Sequence, residues 1–453
     1  MNPEATLLLV GATDETVGKA KRLGLDVLLL QHPTKTTDRQ RELADLLEVV
    51  DYTRWELVRP IAERWREAPG FAAVTSITEP GLENAGRLND LFGLGGTGYE
   101  VTRRLRDKAA MRAHLAAVDP AAVLARPLAA REDLDAFGAE AGYPFVVKPT
   151  DATASIGVQR LDGPADADRV WARVRELSGT RTDRVSTLML LQDFLMEEYL
   201  DGPEFSVESF SSAGRHVVVA VTEKFTDPAH FAELGHAVPA RLSLADEDRI
   251  REAVIAFLDR VGIRDGVCHT EIRLGARGPR VVESHNRVAG DAIPELVLAV
   301  YGIDTIELAL AAPFGLAPEL PDRPEPHGGA AVRSVVGRPG DVVECVEGAA
   351  EARALDDVLA VRISAAPGET VRPLRDNWDR LGLVAVTGPD TTAAVRRGAE
   401  LIRDVVQVRV KDPDGRPGVA VVAEVPSGGP SDVPSGAPSG APSGVGEPVE
   451  ARS

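Results

Sequence analysis

The residue types that could do chemistry are concentrated in "VVESHNRVAGD", which spans Val281 to Asp291. The stretch begins with two valines, as a buried strand does, and then carries Glu, Ser, His, Asn and Arg in succession. Polar side chains removed from water cost free energy unless they bind something. The stretch therefore predicts a binding site where this strand ends.

A second polar strand, "HTEIRL", lies just upstream. Its strict alternation places its His, Glu and Arg on one face and its Thr, Ile and Leu on the other. The turn sequence "GARGP" follows, and a hairpin centred on Arg277 would place Glu271 opposite Glu283. The same register would place His269 opposite His285.

The predicted pairing of Glu271 with Glu283 brings two negative charges together. Directly opposed carboxylates about 5 Å apart repel each other. A cation between them removes the repulsion, and Mg²⁺ is commonly held by one or two carboxylates together with substrate phosphates. The pair therefore favours a magnesium site; the alternative is two surface glutamates on a solvated sheet face.

A lysine and a loop of small residues could bind such phosphates. "YPFVVKPT" predicts a short buried strand that ends at Lys148, and lysine is seldom buried without a partner. In the following loop, "TDATASIGVQRL", backbone N–H groups around Ser155, Gly157 and Val158 could close over phosphate oxygens. The alternatives are a lysine that snorkels to solvent and an ordinary turn.

A linker between two strand-like pieces, "EEYLDGPE", offers a third polar segment. Its acidic side chains are Glu197, Glu198 and Glu204. Such a linker can present backbone N–H and C=O groups to an adenine edge and a carboxylate to ribose hydroxyls. The alternative interpretation is an acidic hairpin loop.

The elements that must position these residues begin with a parallel α/β unit. "TLLLV" (Thr6–Val10), "DVLLL" (Asp26–Leu30) and "FAAVTS" (Phe71–Ser76) predict buried strands with crossover helices between them. The stretch Gly11–Lys19 is not a P-loop, because its glycines are too far apart and Ala20 stands where Ser or Thr should hold magnesium.

The rest of the chain changes character at turn-rich stretches. A basic helix, "VTRRLRDKAAMRAHLAA", follows the stretch Phe92–Glu100, and short strands with tight turns begin near Tyr143. A second turn-rich stretch, Pro321–Gly329, opens a final lobe that runs to about Val410. Beyond Pro413 the composition becomes rich in Pro, Ser and Gly, which predicts a disordered tail.

Composition excludes several classes of partner. The formal net charge of −19 argues against a nucleic-acid binder, although a few lysines can still hold a nucleotide in an acidic protein. The two cysteines form no disulfide framework, which suits a reducing cytoplasm. Neither a signal peptide nor an apolar run of about 20 residues is visible, so we expect a cytoplasmic protein without a membrane partner.

The order of these features resembles the ATP-grasp superfamily, in which two α+β lobes close on ATP. The resemblance covers roughly Arg103 to Val300 by motif. It implies mixed α/β and α+β architecture: an N-terminal parallel α/β (pre-ATP-grasp) domain, a central two-lobed ATP-binding domain and a C-terminal α+β lobe. The corresponding segments are 1–98, 99–320, 321–411 and a disordered tail at 412–453.

The resemblance also implies a role for each motif residue, with ATP and Mg²⁺ as cofactors. The phosphate-contacting lysines are Lys108 and Lys148, and the loop that covers the phosphates includes Ser155, Gly157 and Val158. The adenine hinge is Glu197 and Glu198 with the backbone through Leu200, and the ribose carboxylate is Glu204. The metal ligands are Glu271 and Glu283, and the arginine that faces the transferred phosphate is Arg287.

The sequence departs from the superfamily pattern at one position. The pattern is Glu-x-Asn-x-Arg, but here His285 stands in place of Asn, and Asn286 follows it. Either His285 or a locally bulged Asn286 could complete the metal shell. A histidine ligand would favour Mn²⁺ over Mg²⁺.

Within the superfamily the chain is most similar to carboxylate–amine ligases such as the L-amino acid ligases. "TEKFTDPAHFAELGHAVPARL" (Thr222–Leu242) resembles the loop that borders their substrate pocket, with His236 matching a substrate-side histidine. The alternative for His236 is a turn histidine without a substrate contact. "APGETVRPLRDNWDRLGLVAVTGPD" in the final lobe resembles the same group.

The resemblance implies an ADP-forming ligase that joins a small carboxylate to an amine through an acyl phosphate. The rival interpretations are a biotin-carboxylase-like enzyme and an ATP-binding regulatory module without chemistry. A homodimer is compatible with the resemblance, but the sequence encodes no visible oligomeric state.

Overall fold

The computed structural model of the chain describes residues 1–181 and 190–425. The part of the predicted Pro/Ser/Gly tail from residue 426 to residue 453 lies outside the described residues. Three layers of secondary structure surround one large cavity.

The first layer is a parallel four-stranded sheet with the strand order β3-β2-β1-β4. Its elements are β1 (Thr6–Val10), α1 (Asp14–Arg22), β2 (Asp26–Gln31), α2 (Asp38–Leu43), β3 (Leu46–Val49), α3 (Trp55–Glu67), β4 (Ala73–Thr75) and α4 (Leu82–Phe92). Every residue of β1 is buried, because helices cover both faces of a parallel sheet. The predicted parallel α/β unit is confirmed, although β4 is shorter than predicted.

The predicted basic helix is two helices, α5 (Tyr99–Arg106) and α6 (Lys108–Val118). Asp107 separates them in an extended conformation, and its carboxylate accepts hydrogen bonds from the N–H groups of Ala109 and Ala110. Aspartate is a preferred N-cap because its side chain satisfies N–H groups that lack a partner within the helix. The prediction of one continuous helix was therefore wrong, and Lys108 begins a helix.

The second layer is an antiparallel sheet with the strand order β5-β10-β6-β7. The elements of this region are β5 (Ala125–Leu128), α7 (Arg131–Ala141), β6 (Phe145–Pro149), β7 (Gln159–Leu161), α8 (Ala167–Leu177), β8 (Thr180–Arg181), β9 (Leu190–Leu191) and β10 (Phe194–Glu198). Strands β8 and β9 form a separate pair. Lys148 lies on β6 beside Leu195 of β10, as the predicted buried strand requires.

The third layer is a nine-stranded sheet with the order β15-β14-β11-β12-β13-β16-β19-β18, and β22 also pairs with β16. The elements that follow β10 are β11 (Glu204–Ser212), β12 (Arg215–Thr226), β13 (Glu233–Val238), α9 (Leu244–Val261), β14 (Gly266–Gly275), β15 (Gly278–His285), α10 (Ile293–Tyr301), α11 (Thr305–Ala311), β16 (Gly329–Val336), β17 (Val342–Glu347), α12 (Ala349–Arg353), β18 (Val358–Ile363), β19 (Gly382–Gly388), α13 (Thr391–Asp404), β20 (Gln407–Lys411), β21 (Pro417–Val419) and β22 (Val421–Val422). Because β13 pairs with β16, this sheet runs across the boundary that the sequence places at residue 320.

Regular structure also continues beyond residue 411, where the sequence places the start of the tail. Strand β21 pairs with β20, and β22 pairs with β16. Ala420 and Ala423 are buried, so this apolar stretch covers part of the final lobe before the Pro/Ser/Gly repeats begin.

Strand β14 shows how the third layer presents the predicted site. Its Cys268 and Ile272 pack into a core formed with α6 and α9. His269, Glu271 and Arg273 lie on the opposite face and line the cavity. The predicted alternation is therefore confirmed.

Short 3₁₀ helices complete the described structure, at Pro3–Ala5, Glu79–Gly81, Pro164–Asp166, Ala312–Phe314 and Asn377–Asp379. Among the described residues, no single helix has the length and apolar composition to cross a membrane. The helices Ile293–Tyr301 and Thr305–Phe314 meet that criterion only as a pair, with a 93° bend between them.

Candidate active site

The three layers enclose a cavity of about 960 Å³. It gathers most of the site residues expected from the sequence: Lys108, Lys148, Ser155, Val158, Glu197, Glu198, Leu200, Glu271, Glu283, His285 and Arg287. Gly157, Glu204 and His236 are not among its lining residues. Glu204 contacts the lining residue Arg273, and His236 contacts the lining residues Glu233 and Asp291. The cavity therefore brings together side chains from all three layers.

The hairpin of β14 and β15 has the predicted pairing, with Glu271 opposite Glu283 and His269 opposite His285. It reaches this register differently from the prediction. The turn contains two residues, because Gly275 pairs with Gly278. A β-bulge at Val282 then adds one unpaired residue to β15, and as a result Glu283 pairs with Glu271.

Arg112 on α6 binds this irregular stretch, and sequence reasoning missed it. The buried guanidinium donates to the carbonyl oxygens of Val281 (3.0 Å) and Val282 (2.8 Å). It also donates to both carboxylate oxygens of Glu197, at 2.8 and 3.1 Å. Arg112 thus links the hairpin of β14 and β15 to the second layer.

Glu197 neutralises two buried cations. Besides Arg112, it contacts the ammonium of Lys148 at 2.8 Å. Burial alone would raise the pKa of the Glu197 carboxyl, but the charges of Arg112 and Lys148 lower that pKa to about 2. For Lys148, burial dominates and lowers the pKa of the ammonium.

The side chains of the expected adenine hinge bind the protein itself. The Glu197 carboxylate binds Arg112 and Lys148. The Glu198 carboxylate accepts hydrogen bonds from the Leu124 N–H (3.0 Å) and from Arg277 (2.7 Å). The carbonyl of Leu200 accepts a hydrogen bond from Arg273 at 3.0 Å. Any recognition of an adenine edge at this linker therefore falls to other backbone groups.

Lys108 lies beside the predicted metal carboxylates. Its ammonium is 3.0 Å from the Glu283 carboxylate and donates to the carbonyl of Ala152 at 2.6 Å. Burial opposes ionisation of Glu283, but the charges of Lys108 and His285 outweigh it and lower the pKa of the carboxyl well below its usual value.

His285, and not Asn286, contacts the carboxylate of Glu283. Nε2 of His285 lies 3.1 Å from Glu283, and the ring is buried. Asn286 instead donates to the Thr102 hydroxyl at 3.2 Å. The His285 ring stacks near that of His269, with 6.5 Å between centroids.

Lys224 on β12 is a second cation that sequence reasoning missed. Its buried ammonium lies 2.8 Å from Glu204, 2.7 Å from Glu233 and 2.9 Å from Glu271. Burial lowers the pKa of Lys224, but the three carboxylates raise it well above its ordinary value. The sequence signal for Lys224 was weak, because this lysine follows the apolar run Val217–Val221 of β12 only after Thr222 and Glu223.

Glu204, one of the three carboxylates that contact Lys224, is buried. It also forms an ion pair with Arg273 at 2.9 Å. Burial opposes the ionised form, but Lys224 and Arg273 together lower the pKa of its carboxyl. Both of its cationic partners come from neighbouring strands of the third layer.

The final lobe contributes Arg380 to a polar cluster around His236 of β13. Nε2 of His236 lies 3.4 Å from Asp291 and 3.6 Å from Glu233. Arg380 holds Asp291 through two hydrogen bonds of 2.6 and 2.9 Å. Because Asp291 and Glu233 line the cavity, His236 contacts that surface through them.

The charges in this cluster set the protonation of His236. Burial lowers the pKa of the imidazole, but the Asp291 and Glu233 carboxylates outweigh it, so the pKa is raised. The ligand atoms of Glu233, His236 and Asp291 also lie within 4.8 Å of one another. Lys224 and Arg380 already neutralise these carboxylates, so the cluster is better described as an ion-pair network than as a metal site.

The loop expected to cover the phosphates is anchored to other parts of the chain. Ala154, Ser155 and Gly157 have positive φ angles. The Ser155 hydroxyl donates to the carbonyl of Phe231 at 2.8 Å, and the carbonyl of Ala154 accepts from the Asn377 N–H at 3.2 Å. The loop thus contacts both the β12–β13 connection and the final lobe.

Two parts of the chain match described families. Residues 141–295 match the family described as ATP-grasp domain, and residues 335–411 match the family described as L-amino acid ligase C-terminal domain 2. The chain therefore contains an ATP-grasp domain.

The chain is similar to curated bacterial proteins. It is 27% identical to the uncharacterized protein y4rH of Sinorhizobium fredii, over 79% of this chain and 74% of that protein. It is also 27% identical to the alanine–anticapsin ligase of Bacillus subtilis, over 56% of each protein. The chain thus spans little more than half the length of that ligase.

Solved structures share its fold. The L-amino acid ligase from Bacillus licheniformis superposes with a TM-score of 0.74 at 20% identity, covering 90% of this chain and 98% of that one. The biotin carboxylase–β,γ-ATP complex from Campylobacter jejuni gives a TM-score of 0.64 at 15% identity, covering 92% and 93%. These likenesses concern the fold alone, and they confirm the predicted fold class.

Proposed function

We propose that this ATP-grasp protein is an ADP-forming ligase that uses ATP and Mg²⁺ to join a small carboxylic acid, such as an amino acid, to an amine. The observation that carries the proposal is the convergence of Lys108, Lys148 and Arg287 with the paired carboxylates Glu271 and Glu283 on one cavity. The match of residues 335–411 to an L-amino acid ligase domain supports amide formation.

The chemistry explains why these residue types are needed. A carboxylate is a poor acyl donor because its leaving group would be oxide. Transfer of the γ-phosphoryl group of ATP to a carboxylate oxygen gives ADP and an acyl phosphate. An amine then attacks the acyl carbon, and the C–O bond breaks to release phosphate and a proton. The first step depends on positioning and charge neutralisation, which lysines and an arginine can supply.

The ion pairs of the cavity suggest how the chain accepts nucleotide and metal. When a nucleotide binds, we expect the Lys108 ammonium to move from Glu283 to a phosphate oxygen. Glu283 and Glu271 then provide the two carboxylates that suit Mg²⁺, with His285 beside them. The ion would neutralise charge on the transferred phosphoryl group. Lys148 keeps Glu197 as its partner, because Arg112 fixes that carboxylate.

The substrate carboxylate and amine are proposed to bind between Arg287 and the cluster of Glu233, Asp291 and Arg380. These side chains line the same cavity as the phosphate-binding residues. His236 is proposed as a positioning residue, since it contacts Glu233 and Asp291 from behind the wall.

The same fold supports a second enzymatic function, because biotin carboxylase shares it. That enzyme class would activate bicarbonate instead of an amino acid. Bicarbonate-dependent ADP release without amide formation would favour it, whereas tight ATP binding without any turnover would favour a regulatory module.

The test is ADP release by the purified chain with ATP and Mg²⁺ or Mn²⁺, across pools of amino acids and amines, with hydroxylamine as a trap. We expect ADP together with a hydroxamate of the activated acid. We expect Glu283→Gln to lose most of this turnover. Formation of AMP, or full turnover by the Glu283→Gln variant, would overturn the proposal.

A further inference from the structure

Glu79 brings the first layer into direct contact with the catalytic end of β15. Its carboxylate lies 3.1 Å from Nδ1 of His285 and forms an ion pair with Nε of Arg287. It also contacts Arg106 of α5 at 3.2 Å. The carboxylate is buried, and it comes from a part of the chain about 200 positions away from its two partners on and beyond β15.

The backbone that carries Glu79 is closely packed. A Cβ atom on Gly81 would collide with the carbonyl oxygen of Val10 at the end of β1. Gly11 has a φ of +71°, and a Cβ there would lie 2.7 Å from the Thr78 hydroxyl and the Tyr52 ring. The 3₁₀ helix Glu79–Gly81 therefore rests directly on the carboxyl end of β1, which fixes where the carboxylate points.

Arg287 needs such a partner because other carboxylates compete for it. It lines the cavity close enough to be influenced by the charges of Glu283 and Glu271. Without Glu79, its guanidinium would be drawn toward these carboxylates and would compete with a cation there. With Glu79 in place, Nε is occupied, and Nη1 donates to the carbonyl of Val288 at 2.9 Å.

Glu79 constrains His285 in the same way. Nδ1 of the ring faces Glu79, and Nε2 faces Glu283, each at 3.1 Å. A ring held at one nitrogen presents the other in a fixed direction. One carboxylate of the first layer thus orients two neighbouring side chains of the third layer.

We infer that Glu79 is a positioning residue that holds Arg287 directed at the γ-phosphate, so that the first layer completes the phosphoryl-transfer site. This inference rests on the proposed function for the role of Arg287. It predicts that Glu79 matters for a triphosphate and not for a diphosphate. It also predicts that the effect of Glu79 disappears when Arg287 is absent.

The chain offers a matched control in Glu83. Glu83 also binds Arg106, at 3.0 Å, but it contacts neither His285 nor Arg287. Glu79→Gln and Glu83→Gln therefore each remove one carboxylate from the same arginine. Glu79→Asp keeps the charge on a shorter side chain.

The experiment measures dissociation constants for ADP and for the non-hydrolysable analogue AMP-PNP, with Mg²⁺, in the full chain. We expect Glu79→Gln to weaken AMP-PNP binding about tenfold while ADP binding stays within about twofold. Glu79→Asp should recover part of the loss, and Glu83→Gln should change neither constant. In an Arg287→Lys background, Glu79→Gln should have no further effect on AMP-PNP binding.

Two results would overturn the inference: an equal loss for both nucleotides, or unchanged binding of both in Glu79→Gln. Thermal unfolding of each variant identifies a loss that comes from misfolding, and Glu79→Asp then provides the test in a folded chain. Because these constants need no second substrate, they are independent of ligase turnover. A wild-type chain that binds nucleotide but forms no amide would refute the proposed ligase and leave this test intact.

Discussion

Each lysine or arginine considered at the cavity has a carboxylate of the protein as its partner. Lys108 contacts Glu283, Lys148 contacts Glu197, and Lys224 contacts three glutamates. Buried charges require such partners, because an unpaired charge loses its hydration without compensation. The site is therefore close to neutral before any ligand binds, and phosphates and metal must exchange with existing pairs.

Glu197 shows how much such an ion pair contributes to the stability of the fold. Its pKa falls from 4.5 in an ordinary carboxyl group to about 2 in the folded chain. A lowered folded-state pKa stabilises the fold at pH values above the unfolded pKa, and this contribution is lost as the pH falls from about 4.5 toward 2. The shift corresponds to about 3 kcal/mol.

We therefore expect Glu197→Gln to lower the free energy of unfolding at pH 7 by about 3 kcal/mol, because Arg112 and Lys148 lose their shared partner. The difference from wild type should shrink below pH 4.5. Urea unfolding at pH 7 and pH 3 measures both values. Glu63→Gln, which removes an exposed ion pair with Arg59, is the control and should cost less than about 1 kcal/mol. An equal difference at both pH values would contradict the prediction.

At the scale of secondary structure, the break at Asp107 decides where Lys108 lies. The side chain of Asp107 caps α6, and Lys108 is the first residue of that helix. The N–H of Lys108 also donates to the carbonyl of Thr150, which ties the start of α6 to the loop after β6. A local cap thus positions a residue proposed to contact phosphate.

We expect Asp107→Ala to lower the free energy of unfolding by about 1 kcal/mol, the usual cost of losing an N-cap. It should also weaken ATP binding, because the first turn of α6 frays and Lys108 loses its fixed position. Asp107→Asn is the matched control, since asparagine caps helices equally well. Urea unfolding and ATP titration test this pair, and equal loss in both variants would show that the charge of Asp107, not the cap, is what matters.

Some features of the secondary structure could be predicted from the sequence and others could not. The β1 and β2 strands and the alternation of β14 follow from local patterns, namely apolar runs and a period of two. The pairing of Glu271 with Glu283 was predicted for a hairpin centred on Arg277, but in the structure it depends on an extra residue at Val282. The irregularity at Val282 could not be predicted, because it depends on Arg112 of a distant helix. The single basic helix was wrong because a strong N-cap inside an otherwise helical pattern was overlooked.

Ion-pair partners that lie far apart in the sequence could not be predicted from it, for a physical reason. Glu79, Lys224 and Arg380 each act through ion pairs with residues far along the chain or on neighbouring strands. No periodic pattern marks such a residue, and a charged side chain in a sequence is more often exposed than paired. The assignments implied by the superfamily resemblance predict phosphate and metal residues but name none of these partners.

At the scale of the whole molecule, the cavity depends on all three layers. The nine-stranded sheet joins the final lobe to the hairpin of β14 and β15, and the segment Asn377–Arg380 reaches back into the cavity. Asn377 holds Glu233 twice: its Oδ1 accepts from the Glu233 N–H and its Nδ2 donates to the carboxylate, both at 2.7 Å. Its own N–H donates to Ala154 of the loop after β6.

This arrangement connects the loop after β6, which is proposed to cover the phosphates, to the proposed substrate end. An acyl phosphate is destroyed by water, so a ligase needs the loop to stay closed until the amine attacks. Loss of the Asn377 side chain would release Glu233 and loosen the contact between the final lobe and the loop. More intermediates would then be hydrolysed before an amide forms.

We therefore expect Asn377→Ala to raise the ratio of ADP released to amide formed from about one to two or more, while ADP release itself falls less than tenfold. Coupled measurement of both products under identical conditions gives the ratio. Asn89→Ala is the control, because Asn89 is also buried and hydrogen-bonded but lies away from the cavity. If Asn377→Ala lowers both products in proportion, the contact serves only the stability of the fold, and closure of the loop does not depend on the final lobe.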